Sequence, residues 1–162
     1  MSADQITKQV TLRASPRRVW KALSDSQQFG AWFGIQFAEA FAPGATVHGV
    51  IRPTTADPEI AKAMAEWEGT AFTITIERME PERVFSYRWH PHSMDSSVDY
   101  SKESTTLVVF ELTAVPEGTR LTVTESGFDR IPAARRKSAF EANEGGWAVQ
   151  VILIGKYLDQ HP

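Results

Sequence analysis

Residues 141–162 read EANEGGWAVQVILIGKYLDQHP, and they decide how the rest of the chain is understood. Trp147, Val151, Ile154 and Leu158 recur at i, i+4, i+7 and i+11, the spacing of one apolar helical stripe. Gly145 and Gly146 stand directly before that stripe, and Gly155 interrupts it. A glycine inside a helix costs about 1 kcal/mol relative to alanine. Three of them suggest a backbone that must lie close to something, or bend around it. We read one long helix from Pro132 to the C-terminus. Gly146 would then set a small residue against a strand, with Trp147 filling the space beside it.

A long helix with one apolar stripe needs a surface to cover, and the preceding sequence supplies a sheet. ESTTLVVFELTAV and TRLTVTESGF are two extended runs joined by a turn at Pro116, Glu117 and Gly118, the clearest hairpin in the chain. VFSYRW from Val84 is a further strand, preceded by TAFTITIERME, where Phe72, Ile74 and Ile76 share a face. A strand through Val47, Gly49 and Ile51 follows a Pro43-Gly44 turn, and Ile6 to Leu12 alternates as a half-buried strand. Two short helices come after that first strand. Ser15 suits an N-cap and Pro16 the first helical turn, with Val19, Trp20 and Leu23 on one face. The second opens at Ser26 and carries Phe29, Trp32 and Phe33. Between two strands lies an unusual insert, residues 53–66. It has Asp57-Pro58 at its head, Glu59 in an acidic first turn, and Ile60, Ala63, Met64 and Trp67 at helical spacing. The residues thus give about six antiparallel strands and a final helix, an α+β arrangement without βαβ alternation.

Composition narrows the function. The chain has 162 residues, the size of a single domain spanning 1–162, with 42% hydrophobic and 23% charged residues. A formal charge of -3 without a basic stripe argues against nucleic acid as a partner. The cluster Arg135, Arg136 and Lys137 reads as a solvated helix face. Cysteine is absent, which removes disulfides, thiol catalysis and cysteine-bound zinc. Neither a signal-peptide pattern nor a membrane-length apolar run is present, so a cytoplasmic protein is expected.

The order and spacing of several segments resemble a known superfamily. SPRRVWKALSD…WF, the Pro-Gly before the second strand, MEPERVFSYRW, GTRLTVTESGF and NEGGW…L..YL together look like the START-like (SRPBCC) group. Within it they are most similar to the branch named after the activator of the heat-shock protein ninety ATPase. The resemblance implies a helix-grip fold: a curved, seven-stranded antiparallel sheet wrapped around a long C-terminal helix, with a cavity between them. It says little about chemistry, since the group includes lipid carriers, hormone receptors, cyclases and co-chaperone domains. The co-chaperones join this fold to a separate N-terminal domain, for which 162 residues leave no room.

No catalytic set stands out. There is no GxSxG elbow, and no serine has a suggestively spaced histidine and carboxylate. His90 and His92 form the sole close histidine pair, but Pro91 separates them where a strand ends, so they read as loop residues even with Asp95 and Asp99 nearby. No metal and no cofactor is called for. Glu125 is the one carboxylate of interest: by period two it shares a face with Leu121 and Val123, hence points inward, with Arg52, His48 or Arg88 as candidate partners. The chain also holds 5 Trp, 3 Tyr and 9 Phe, enough to line a pocket as well as fill a core. The expected ligand-binding residues are Trp32, Met64, Trp67, Phe72, Tyr87, Trp89, Phe110, Glu125, Trp147 and Val151. The leading reading is a binding protein for a small apolar or amphipathic ligand held between sheet and helix, with the insert as a lid. The alternatives are a cyclase- or dehydratase-like enzyme using Glu125 or His48, and a co-chaperone-type interaction protein. Val149 and Ile152 fall on the outer face of the final helix and leave a homodimer open.

Overall fold

The computed structural model describes residues 4–95 and 97–162. Seven strands and four α-helices follow one another along the chain: β1 (Gln5–Leu12), α1 (Pro16–Ser24), α2 (Ser26–Phe33), β2 (Ile35–Phe37), β3 (Thr46–Ile51), α3 (Pro58–Met64), β4 (Ala71–Glu80), β5 (Val84–Trp89), β6 (Thr106–Val115), β7 (Gly118–Ser126) and α4 (Ala133–Gln160). All strand pairs are antiparallel, in the order β1-β7-β6-β5-β4-β3-β2. This is the expected α+β helix-grip architecture. The seventh strand, beyond the six that the residues announce, is β2. It is three residues long and follows at once on Gly34, whose φ of 98° ends α2 in the left-handed region. So short a strand leaves no periodic signal.

Local chemistry accounts for the helix starts. Ser15 Oγ accepts the Arg18 amide at 3.2 Å, and Pro16 opens α1. Asp25 caps α2 through the amides of Gln27 and Gln28. Asp57 caps α3 in the same way, accepting from Glu59 and Ile60 at 2.9 and 3.0 Å. Each such cap is worth about 1 kcal/mol.

Strand register sets the interior in rows. Ile76, Tyr87, Val108, Glu125 and Ile6 lie side by side across β4, β5, β6, β7 and β1, and all five are buried. The neighbouring row carries Phe85, Phe110 and Val123, also buried. α4 covers this face with Trp147, Leu153, Ile154, Tyr157 and Leu158, so the long helix is continuous through both glycines. The glycines themselves do not serve close packing. A Cβ added at Gly145 or Gly146 would meet nothing within 4 Å, and both residues are exposed. At Gly155 it would touch Leu12 at an ordinary 3.6 Å. The expectation of a backbone pressed against a strand is therefore corrected: Trp147 turns inward, and the two preceding glycines turn out.

The insert is a helix, as its spacing indicates, and its base is fastened. Thr54 Oγ1 donates to the Trp32 carbonyl at 2.8 Å, Ala56 is buried, and Gln160 Nε2 donates to the Ala56 carbonyl at 2.9 Å. Lys156 of α4 pairs with Asp57. The body of α3 itself buries no residue. No helix among the described residues is long and apolar enough to cross a membrane.

Candidate functional site

Glu125 is the chemical centre of the sheet–helix seam. β7 places it inward, as its alternation with Leu121 and Val123 requires, and it has no solvent exposure. A bare carboxylate could not be held there, because burying an unpaired charge costs far more than one hydrogen bond returns. Four side chains satisfy it. Trp147 Nε1 donates to Oε1 at 2.8 Å and Trp89 Nε1 donates to Oε2 at 2.8 Å. Thr106 Oγ1 donates to Oε2 at 2.6 Å, and Asn143 Nδ2 reaches both oxygens at 2.9 and 3.1 Å. An indole N–H is only a donor, so the two tryptophans demand an acceptor on each oxygen.

Among the described residues no cation takes part, which corrects the expected partners. His48 binds Glu39 at the surface, and Arg88 binds Glu77 at 2.7 Å. Arg52 is exposed. Val47 and Tyr87 face inward, so by the period of a strand His48 and Arg88 must face out. The salt-bridge reading of Glu125 gives way to a cradle of neutral donors.

Beside Glu125 lies Tyr87, whose hydroxyl is buried without a hydrogen-bond partner among the described residues. Burial, and secondarily the charge of Glu125, pushes its phenol well above the ordinary pKa. It therefore stays a neutral donor at physiological pH.

Two adjoining hollows open onto this seam. The inner one, about 160 Å³, is bounded by Phe33, Trp89, Asn143, Gly146, Trp147 and Gln150. The outer one, about 180 Å³, shares Phe33, Trp89, Asn143 and Gln150 and continues past Met64, Phe72 and His92. Each is smaller than the ~300 Å³ at which ordinary ligand pockets begin. The space is small because aromatic rings fill its depth: Trp147 packs on Phe110 at 5.7 Å, and Tyr87 on Trp89 at 5.3 Å. Phe33, Trp89 and Trp147 meet pairwise with centroids 5.8 to 6.0 Å apart and form the aromatic wall.

Of the ten expected residues, Met64, Phe72, Trp89 and Trp147 border these hollows. Glu125, Tyr87 and Phe110 lie directly behind the wall. Trp32 is in the packed core, with its indole donating to the Ala22 carbonyl at 2.9 Å. Val151 is half-buried and borders neither hollow. Trp67 is 41% exposed and belongs to a separate, wide basin on the surface with Met94, Val98 and Tyr100.

Sequence reasoning missed Asn143 and Gln150 on α4, and it gave Phe33 no part in the site. A signal existed: Asn143 and Gln150 stand at i−4 and i+3 from Trp147, hence on its side of the helix. The solvated reading of Arg135 is also corrected. Its guanidinium grips Glu103 at 2.7 Å, donates to the carbonyls of Pro91 and His92, and lies 4.8 Å from the Tyr100 ring centroid. It fastens the 91–103 segment to α4. His90 meets the Glu103 carbonyl at 3.1 Å, and Asp95 and Asp99 each bind their own serine two residues on.

The family described as Activator of Hsp90 ATPase homolog 1-like protein matches residues 13–159. No curated protein matches the chain. Among solved structures, MLL2253 from Mesorhizobium loti is similar over 98% of each chain, at 22% identity and a TM-score of 0.69. The protein BPP1335 from Bordetella parapertussis is similar at 23% identity and a TM-score of 0.65, covering 97% of this chain and 76% of that one. DynU16, from the dynemicin biosynthetic locus, has 22% identity and a TM-score of 0.67, and 98% of this chain corresponds to 48% of it. At these identities the likeness is one of fold.

Proposed function

We propose, for a chain that belongs to the Activator of Hsp90 ATPase homolog 1-like family, that it binds a small apolar or amphipathic molecule between sheet and C-terminal helix. The observation that carries this reading is the pair of adjoining hollows sharing Phe33, Trp89, Asn143 and Gln150. They combine an aromatic wall with two amide side chains, the mixture by which small ligands are held and oriented. Met64 lies over the outer hollow, where an added Cβ at Gly34 would stand 2.0 Å from its Cε. The insert that carries Met64 is thus the ligand's lid, hinged on the fastened base at 54–57. Enlargement of the space by a small outward movement of α3 matches its unburied body.

The enzymatic alternative has less support. Glu125 borders neither hollow and is screened by Trp89, Asn143 and Trp147, so it cannot touch a reacting atom there. His48 sits on the outer face of the sheet with Glu39.

The test uses Gly146, which borders the inner hollow and has open space beside it. Gly146→Leu places a side chain at the rim and should raise helix stability by roughly 0.5–1 kcal/mol. Hexanol titrated into the wild-type protein should change tryptophan emission saturably, and the variant should bind at least about tenfold more weakly. No saturable response to hexanol up to its solubility limit, with a native circular-dichroism spectrum, would end this reading.

A further inference from the structure

We infer that the inner hollow selects the positively charged head of a small organic amine and rejects carboxylates. This rests on the binding reading above and adds the chemistry of the ligand's polar end. Asn143 directs Nδ2 at Glu125, because a carboxylate only accepts, and Oδ1 then has no donor among the described residues. Gln150 spends one of its two Nε2 hydrogens on the Phe33 carbonyl at 3.0 Å, and its Oε1 is buried without a partner among the described residues. The indole N–H groups of Trp89 and Trp147 are both turned to Glu125. Both amides therefore leave an acceptor over, against one unengaged side-chain donor, the second Nε2 hydrogen of Gln150.

The charge balance points the same way. Glu125 is fully buried and held by neutral groups alone. The α4 cations Arg135 and Lys156 are already engaged, the first with Glu103 and the second with Asp57. His92, on the outer hollow, is held below the usual imidazole pKa by burial and then by Arg135, so it adds no positive charge at neutral pH. Asn143 transmits the field of Glu125, since an amide that donates to an anion becomes a stronger acceptor at its oxygen. The remaining wall is Phe33, Trp89 and Trp147, and aromatic faces attract cations. An ammonium group entering here meets oxygen lone pairs, ring faces and a buried negative charge. A carboxylate meets the same three with the wrong sign, and a single amide N–H of Gln150 is little to set against them.

Three probes of one length isolate the head group: hexylammonium, hexanol and hexanoate, titrated at pH 7 into the full chain and followed by tryptophan emission and calorimetry. Hexylammonium should bind at least about tenfold tighter than hexanol, and hexanoate at least about tenfold weaker. In Glu125→Gln the ammonium preference should vanish while hexanol is retained. Should that variant fail to fold, Gln150→Met removes one acceptor and should lower the preference several-fold. Equal affinity for hexanol and hexylammonium, or hexanoate binding as tightly as either, overturns the inference and leaves apolar binding intact. Failure of all three probes to bind overturns both.

Discussion

The seam beneath α4 and the outer lip made by α3 and residues 91–103 are held together in opposite ways. In the seam, apolar rings carry the packing, and one buried carboxylate satisfies four donors from β5, β6 and α4. Among the described residues of the lip, almost no side chain is buried. Order there comes from charged and capping contacts: Arg135 with Glu103, Asp57 with Lys156, and the aspartate–serine turns at Asp95 and Asp99. The first region resists change because loss of any member orphans the others. The second can move, because its contacts are few, open in part to water and not backed by packed apolar side chains. A binding site at their junction has one rigid wall and one adjustable wall.

The most damaging way to break this contrast is at Trp147. It is 2% exposed, packs on Phe33, Trp89 and Phe110, and supplies one of the donors to Glu125. Trp147→Ala should cost roughly 3–5 kcal/mol in a urea melt. Trp147→Phe, which keeps most of the ring and removes the N–H, should cost about 1–3 kcal/mol, the usual penalty for a buried group left unpaired. A loss below about 1 kcal/mol for the alanine variant would mean that the seam is no more rigid than the lip.

Arg135 tests the lip at its strongest point. Its side chain is 19% exposed and that of Glu103 is 16%, so water screens the pair only in part. Arg135→Ala removes the bidentate grip and two bonds to backbone carbonyls, and should cost about 1.5–3 kcal/mol. Hydrogen exchange should quicken across 91–103 and stay unchanged in β6 and β7. If protection fell equally in the sheet, the two regions would unfold as one unit and the contrast would fail.

The two regions were also unequally legible in the sequence. α4, the hairpin of β6 and β7, and the inward aim of Glu125 all follow from periods of 3.6 and 2 within continuous runs. What surrounds Glu125 does not, because Trp89 and Thr106 meet it only through strand registers, and Asn143 and Trp147 only through the placement of α4. A cationic partner was the simplest expectation for a buried carboxylate, yet neutral donors need no second desolvated charge and suit an aromatic wall better. In the lip, Asp57 was readable as a cap because capping is local. Arg135 was not, since a basic residue in a run of three looks the same in solvent and in a clamp. β2 is too brief for any periodicity, and the close approach expected of Gly145 and Gly146 fails because both face water.

The smallest expected effect lies at the base of the lid, and it depends on pH. Lys156 first, then the amides of Ile60 and Glu59, hold the Asp57 carboxyl below the usual aspartate range. A depressed carboxyl contributes stability above its ordinary value of about 3.9, and that contribution disappears as pH falls through the lower, folded value. The fastening of α3 to α4 should therefore be constant from about pH 5 to pH 8 and weaken in acid below about pH 4. Asn caps a helix about as well as Asp, so Asp57→Asn keeps the start of α3 and removes only the charge. Trp67 reports on the lid, since it ends the turn after α3 and is well exposed. Its emission should differ slightly between wild type and Asp57→Asn near neutrality, and the difference should close in acid while the sheet remains folded. A difference that persisted unchanged down to about pH 2 would show that Lys156 and Asp57 are not what ties the lid to the helix. The adjustable wall of the site would then be held by Thr54, Ala56 and Gln160 alone.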